Sequence, residues 1–168
     1  LVTPTVKPMN DGAGRLWVAE PAMHLMLELA SGRNPYETGG MLIGYEADNG
    51  EAVVTSLIGP GPWARHTRFG FSPDPEYQQA ELEAHFRATN GRETYLGDWH
   101  THPHSNSNLS RVDKKTLARI AKTTTSGTRN PLMAIWGGGS GSWELGAVRF
   151  LGVKRGIFFD EYRLLTLV

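Results

Sequence analysis

Short apolar segments bounded by Gly, Pro, Asn and Asp outnumber helical segments along this chain, and this ratio restricts its fold more than any other feature. Strand patterns are found at residues 15–18, 41–45, 51–58, 68–71, 93–100, 131–136, 142–150 and 153–162. Helical spacing is found in three segments, which begin near Pro21, Asp74 and Ser110. Because helices are interspersed among mostly consecutive strands, the sequence predicts an α/β or α+β domain with a sheet layered against helices.

Length and composition indicate a single folded domain. The 168 residues are 39% hydrophobic and 20% charged, which is typical of a globular protein. Residues 1–14 contain two prolines and two glycines and show no periodicity, so we predict a flexible N-terminal arm there and one domain over residues 15–168. The glycine-rich run Gly137–Gly141 is predicted to be a flexible hairpin loop.

The chain has no cysteine, which excludes several kinds of site. Disulfide scaffolds, thiolate zinc sites, iron–sulfur clusters and cysteine nucleophiles all require that residue. The 17 basic and 17 acidic residues give a formal net charge of zero, so we expect no nucleic-acid partner. No apolar run reaches the roughly 18 residues of a membrane span and no secretory signal is visible. We therefore expect no membrane partner and a cytoplasmic location.

Two histidines separated by one residue are the strongest sign of chemistry in the sequence. His100 and His102 lie at the predicted end of a strand, where side chains two apart point to the same face and can converge on one ion. Pro103 then turns the chain away. Asp113, in the first turn of the next predicted helix, can return a carboxylate to the same point. The sequence therefore predicts a metal site with three protein ligands.

Three protein ligands leave a fourth position for water, which is the open arrangement of catalytic rather than structural zinc. The imidazoles favour zinc over magnesium, while iron and manganese remain open on ligand type alone. We expect one Zn²⁺ per chain, and an ion of this kind provides a nucleophile for hydrolysis without a serine or cysteine.

A hydrolase also needs a group that moves protons. Glu37 is the candidate, because it lies just ahead of two glycines and an apolar strand, where a carboxylate can lean over a neighbouring strand end. Ser110 has two possible roles. Its hydroxyl can cap the helix that carries Asp113, or it can donate to the oxyanion that forms on a substrate carbonyl.

Weaker signals indicate residues that contact substrate. His66 and Arg68 precede a strand and are candidates for substrate contact, the alternative being a solvated hairpin. Trp63 lies in a Gly/Pro loop and is a candidate wall of the substrate cleft. His104 directly follows the histidine pair, so it is either a rim residue of the site or part of a solvated loop.

The combined pattern resembles the JAMM (MPN-plus, JAB-type) metalloprotease motif. It consists of His100–Pro103, then Ser110 and Asp113, with Glu37 upstream in a Glu-Thr-Gly-Gly-Met-Leu-Ile-Gly segment. The resemblance extends from about Arg15 to Tyr162 and is closest to the small bacterial stand-alone branch, whose members often accompany ubiquitin-activating-like and conjugating-like proteins in anti-phage operons. The segment between Phe71 and Tyr95 is shorter than in some eukaryotic relatives, which carry long insertions there.

This resemblance implies a cytidine-deaminase-like mixed sheet between helices, and a zinc-dependent isopeptidase or peptidase. Such enzymes cleave after the C-terminal glycine of ubiquitin or a ubiquitin-like modifier, in deconjugation or precursor processing. The family pattern assigns zinc to His100, His102 and Asp113, the acid/base role to Glu37 and oxyanion stabilisation to Ser110. Two alternatives remain: a non-catalytic MPN scaffold, and a hydrolase of a small peptide or of a sulfur-carrier tail.

Overall fold

The computed structural model describes residues 14–123, 127–139, 141–153 and 160–168. The strands in these residues are β1 (Gly14–Val18), β2 (Gly39–Glu46), β3 (Ala52–Ile58), β4 (Arg65–Thr67), β5 (Gly70–Ser72), β6 (Thr94–Pro103), β7 (Leu132–Gly139), β8 (Ser142–Val153) and β9 (Asp160–Leu167). The helices are α1 (Glu20–Arg33), α2 (Pro75–Ala88) and α3 (Arg111–Lys122). In the part of the chain that is described, no helix has the length and apolarity to span a membrane.

Seven strands form one mixed sheet in the order β1-β3-β2-β6-β7-β8-β9, and β9 pairs with β1 to close it. The pairs β1–β3, β1–β9 and β6–β7 are parallel, and the others are antiparallel. The remaining strands, β4 and β5, form a separate antiparallel hairpin. Strand β6 lies between β2 and β7 in this closed sheet.

The two faces of β7 contact different clusters, because successive side chains of a strand point to opposite sides. Leu132, Ala134 and Trp136 belong to a buried cluster that includes residues of α1. Met133 and Ile135 belong to a second cluster that includes residues of α3. The sheet is thus covered by a helix on each side, and the predicted α+β class is confirmed.

Some predicted boundaries differ from the structure. Gly14 is already the first residue of β1, and residues 1–13 of the predicted arm lie outside the described residues. The single strand predicted over residues 68–71 is wrong. A turn interrupts it, because the Thr67 hydroxyl donates to the Gly70 carbonyl and accepts from the Phe69 N–H, and this turn joins β4 to β5.

The predicted hairpin loop over Gly137–Gly141 is also wrong for its first three residues. Gly137 to Gly139 continue β7 and pair with the start of β8. Backbone hydrogen bonding requires no side chain, so glycine is compatible with this pairing. The reason for glycine at position 137 is tertiary, since a Cβ there would lie 2.3 Å from the Asn106 carbonyl carbon.

Candidate metal centre

The three predicted ligands come together at the end of β6 and the start of α3. The side chains of His100 and His102 lie on one face of β6, as their spacing predicts, and Asp113 lies in the first turn of α3. His100 Nε2 lies 3.0 Å from His102 Nε2. Asp113 places Oδ1 3.2 Å from His100 Nε2 and Oδ2 3.4 Å from His102 Nε2. These residues form the one group of metal-ligating side chains found within the described residues.

The separations of these atoms fit a metal ion. Ligands at Zn–N and Zn–O distances of about 2.0–2.1 Å in a tetrahedron lie about 3.3 Å apart. The two histidine nitrogens lie 3.0 Å apart, and they lie 3.2 and 3.4 Å from Oδ1 and Oδ2 of Asp113 respectively, so the separations are close to that value. The arrangement therefore suits a small cation with tetrahedral geometry, and three protein ligands leave its fourth position open.

Electrostatic interactions within this group favour a negatively charged Asp113. Burial alone raises the pKa of this carboxyl, but hydrogen bonds from His100 and His102 outweigh it and hold the pKa well below its usual range. At His102, burial lowers the pKa, but the hydrogen bonds to Asp113 and to the Asn106 carbonyl hold it above its usual value. Protons and a metal ion therefore compete for the same ligand atoms.

The loop after β6 orients the second histidine. His102 Nδ1 lies 3.1 Å from the Asn106 carbonyl oxygen, which can only accept, so Nδ1 carries a hydrogen and Nε2 is the nitrogen left to bind a metal ion. The loop packs on Gly137 and Gly146, where an added Cβ would lie 2.4 Å from Ser107 N and 2.8 Å from Ser107 O respectively. These glycines allow the loop to lie close to the sheet.

Hydrogen bonds to β4 and to β6 fix the segment that carries Glu37. The Glu37 N–H donates to the Thr67 carbonyl of β4 at 2.8 Å. The next residue, Thr38, is fully buried and exchanges bonds with Thr101 of β6: Thr38 N–H donates to Thr101 Oγ1 at 2.9 Å, and Thr101 N–H donates to the Thr38 carbonyl at 2.8 Å. Thr101 lies between the two histidines, so Glu37 is held in register with them.

The Glu37 side chain lies in the same cleft as the three ligands. Burial raises the pKa of this carboxyl, His100 and His102 oppose the rise, and Asp113 adds to it. A carboxyl with a raised pKa takes up and releases protons closer to neutral pH, as a general acid/base requires.

Ser110 is the N-cap residue of α3. Its Oγ accepts from the Asp113 N–H at 3.2 Å, and its N–H donates to Asp113 Oδ2 at 2.7 Å, so both bonds of a capping box are present. Accepting one bond leaves the hydroxyl hydrogen able to donate. The two roles predicted for Ser110 are therefore compatible.

The site opens into a cleft of about 1350 Å³. Of the four residues predicted to contact substrate, Arg68 and His104 line this cleft. Trp63 is not among the lining residues, and its side chain is 84% exposed. His66 is also absent from the lining, and its ring contacts the backbone of Glu37 instead. The roles of all four in substrate binding stay predictions.

Sequence reasoning missed a hydrogen-bonded pair of polar residues in the cleft. Asp98 and Tyr95 line it, and the Tyr95 hydroxyl donates to Asp98 Oδ1 at 2.9 Å. Burial raises the pKa of both groups. Because Asp98 precedes His100 by two residues on β6, the same alternation that pairs the histidines could have indicated its position.

Comparison with known proteins identifies the family. The prokaryotic homologs of the JAB domain match residues 19–146 of this chain. The chain belongs to this JAB family. A protein named probable metalloprotease y4qB, from Sinorhizobium fredii, is 38% identical over 129 residues, which cover 76% of this chain and 79% of that protein.

Two proteins named CD-NTase/cGAS isopeptidase match this chain over about half of its length. The protein from Pseudomonas aeruginosa is 31% identical over 85 residues, which cover 51% of this chain and 53% of that protein. The protein from Escherichia coli is 35% identical over 79 residues, which cover 47% of this chain and 50% of that protein. The fold is similar to the solution structure of protein DSY2949 from Desulfitobacterium hafniense, with a TM-score of 0.60, 18% identity and 91% coverage of both chains.

These relationships confirm the predicted JAB-type fold and the predicted enzyme class. The chain is a JAMM-type hydrolase of the metalloprotease and isopeptidase group. The family and the His–His–Asp group together indicate a bound metal ion. The identity of the metal and the roles of individual residues stay predictions.

Proposed function

We propose that this JAB protein is a zinc-dependent peptidase or isopeptidase that cleaves after the C-terminal glycine of a ubiquitin-like modifier. The observation that carries this proposal is the grouping of His100, His102 and Asp113, with separations of 3.0–3.4 Å between their nitrogen and oxygen atoms, in the open cleft that Glu37 also lines. The relatives named CD-NTase/cGAS isopeptidase support an isopeptide bond as the target.

The metal ligands in this proposal are His100, His102 and Asp113. Two neutral imidazoles and one carboxylate are a donor set that suits zinc, and they offset one of its two positive charges. When bound, zinc supplies an acidified water molecule and polarises the carbonyl group of the scissile bond. The Asn106 carbonyl holds the His102 ring with Nε2 facing His100 and Asp113, where it would bind the ion.

Glu37 moves the proton. Its carboxylate takes a proton from the attacking water and delivers it to the nitrogen of the scissile amide as the C–N bond breaks. The products are the glycine carboxylate of the modifier and a free amine, which is a lysine side chain in deconjugation or a new N-terminus in processing. The raised pKa of Glu37 suits a group that must both accept and release this proton.

Ser110 stabilises the negative charge that develops on the carbonyl oxygen. Its Oγ is fixed by the cap bond from the Asp113 N–H, so the hydroxyl hydrogen can be directed at the substrate at little entropic cost. The cap bond also joins the oxyanion donor to a metal ligand, which keeps the two groups in register.

The substrate tail lies extended in the cleft. An extended peptide binds by adding a strand to a free sheet edge. The described strands of the main sheet close on themselves, so the edge available beside the site is that of the β4–β5 hairpin. Gly70 and Phe71 of β5 line the cleft, and pairing there would bring the tail past Glu37. In the cell, we propose that the conjugate is made by activating-like and conjugating-like proteins of the same operon, in anti-phage defence.

Cleavage of model substrates tests this function. Candidate ubiquitin-like modifiers with a C-terminal extension are incubated with the purified chain, with and without a chelator, and the products are identified by mass spectrometry. We expect scission after the terminal glycine, loss of activity with chelator and recovery with added zinc. Replacement of that glycine by valine should block cleavage, and a short peptide of the same tail sequence tests the small-peptide alternative.

The scaffold alternative predicts a different result. A non-catalytic module would bind no zinc by elemental analysis, would gain none on reconstitution and would leave every extended modifier intact. Full turnover in thoroughly demetallated protein would contradict the proposed chemistry.

A further inference from the structure

The β4–β5 hairpin contains a histidine that has a defined contact outside the metal group. His66 Nδ1 lies 2.9 Å from the backbone carbonyl oxygen of Glu37. A carbonyl oxygen can only accept a hydrogen bond, so Nδ1 carries the hydrogen and donates it. The three grouped ligand residues do not include His66.

Together with its neighbour in β4, His66 holds both sides of the Glu37 backbone. The Glu37 N–H donates to the Thr67 carbonyl at 2.8 Å, and the Glu37 carbonyl accepts from His66. These groups belong to the two planar peptide units that flank the Glu37 Cα. The second unit also contains the Thr38 N–H, which donates to Thr101 Oγ1 at 2.9 Å, so His66 provides a second anchor for that unit. Fixing both units fixes φ and ψ at Glu37, and therefore the direction in which its side chain leaves the backbone.

The surroundings of the ring favour this interpretation over simple packing. The imidazole stacks on Phe71, with ring centroids 6.2 Å apart and planes 15° from parallel. Its other nitrogen, Nε2, is buried and has no hydrogen-bond partner among the described residues. An apolar ring would stack equally well without burying an unsatisfied nitrogen. The histidine is therefore a costly choice here unless the Nδ1 donation to Glu37 is needed.

We propose that His66 is a positioning residue, which orients the carboxylate of Glu37 for proton transfer by holding its backbone carbonyl. The inference rests on the proposed function of Glu37. It differs from the expectation of a substrate contact, because His66 acts on the rate of the chemical step through Glu37 and not on substrate affinity.

Three variants separate the possibilities. His66→Phe keeps a ring against Phe71 and removes the donor, while His66→Asn keeps an N–H near the position of Nδ1. His24→Phe, on the exposed face of α1, is the matched control for the same chemical change away from the site. We expect His66→Phe to lower kcat by about 10- to 100-fold, as misplacement of a reacting group does, with KM and metal content unchanged. His66→Asn should retain kcat within about threefold of the wild type.

A second measurement does not depend on turnover. In the metal-free protein, hydrogen exchange of the Glu37 amide should become at least about tenfold faster in His66→Phe, but not in His66→Asn or His24→Phe. A double-mutant cycle then tests the route. In a Glu37→Gln background, His66→Phe should change the residual rate by less than about twofold, because its partner in the chemistry is already gone.

Each outcome decides the proposal. Wild-type kcat in His66→Phe overturns it, and so do equal losses in the Phe and Asn variants, which would assign the effect to ring packing. A raised KM with unchanged kcat would return His66 to substrate contact. If the wild type cleaves nothing while the exchange of the Glu37 amide still responds, the proposed function fails and the backbone contact stands without a catalytic role.

Discussion

The hydroxyl oxygen of Ser110 accepts a hydrogen bond from the backbone N–H of Asp113, and the Asp113 carboxylate accepts one from the backbone N–H of Ser110. This reciprocal pair begins α3 and also sets the position of a candidate metal ligand. One local sequence pattern, Ser-x-x-Asp, thus has both a structural and a chemical consequence.

Substitution of Ser110 should separate its two roles. An N-cap serine is worth about 1 kcal/mol over alanine, while glycine costs only a few tenths. We therefore expect Ser110→Ala to lower Tm more than Ser110→Gly, although both should lose about 10²- to 10³-fold in kcat because neither has a hydroxyl donor. Ser110→Thr is the control that keeps cap and donor. Near-normal kcat in Ser110→Gly would leave only the capping role.

Removal of the Glu37 carboxylate should slow turnover greatly without changing the metal content. We expect Glu37→Gln to lower kcat by about 10²- to 10⁴-fold, which is the usual contribution of a general acid/base. Glu37→Ala should show a similar loss of kcat. Metal content, measured by elemental analysis, should match the wild type because Glu37 is not among the three grouped ligands. Cleavage by either variant at the wild-type rate would remove Glu37 from the mechanism.

Substitution of the glycine beneath the loop after β6 should weaken metal binding from a distance. A Cβ at Gly137 would lie 2.3 Å from the Asn106 carbonyl carbon, so Gly137→Ala must displace the loop that orients His102. Loss of such an outer contact typically costs about 10- to 100-fold in metal affinity, measurable by competition with a chelating dye.

Gly32→Ala in α1 is the matched control for that substitution. An added Cβ there has no neighbour within 4 Å, and alanine should stabilise the helix by up to about 1 kcal/mol. Metal affinity should not change. Equal affinities in the Gly137 and Gly32 variants would contradict the proposed link between loop and ligand.

The contact between His85 of α2 and Glu93, just before β6, should make the free energy of unfolding depend on pH in the acid range. His85 Nε2 lies 2.6 Å from Glu93 Oε2, which also accepts from Thr55 at 2.8 Å, and these bonds hold the pKa of Glu93 below its usual value. A carboxyl group whose pKa is lower in the folded state stabilises that state at pH values above its unfolded-state pKa. This stabilisation is lost as the pH falls through its folded-state pKa. Glu93→Gln should thus cost less than about 1 kcal/mol at pH 7, because the pair is partly exposed.

The measurement for that pair is urea unfolding of both proteins from pH 7 to pH 3. The difference in unfolding free energy should shrink below about pH 4.3, the ordinary value for glutamate. A difference that stays constant over the whole range would show that the Glu93 charge contributes nothing.

Features that depend on neighbouring residues could be predicted from the sequence. The alternation of β6 placed His100 and His102 on one face, and the Ser-x-x-Asp spacing predicted the start of α3. Strand alternation and helix capping act over only a few residues, so their patterns are visible in the chain itself. The predicted strand positions were wrong at two places: a turn separates β4 from β5, and Gly137 continues β7 where the glycine run had predicted a loop.

The sequence by itself determined the candidate ligand set, the cap of α3 and the mixed class of the fold, because each depends on residue types at short spacing. Only the tertiary structure decided that Thr38 and Thr101, 63 positions apart, exchange hydrogen bonds that bring Glu37 to the ligands. It also decided that the His66 ring meets the Glu37 backbone. Such contacts depend on how whole strands pack and pair, and no local periodicity encodes which distant residues will meet.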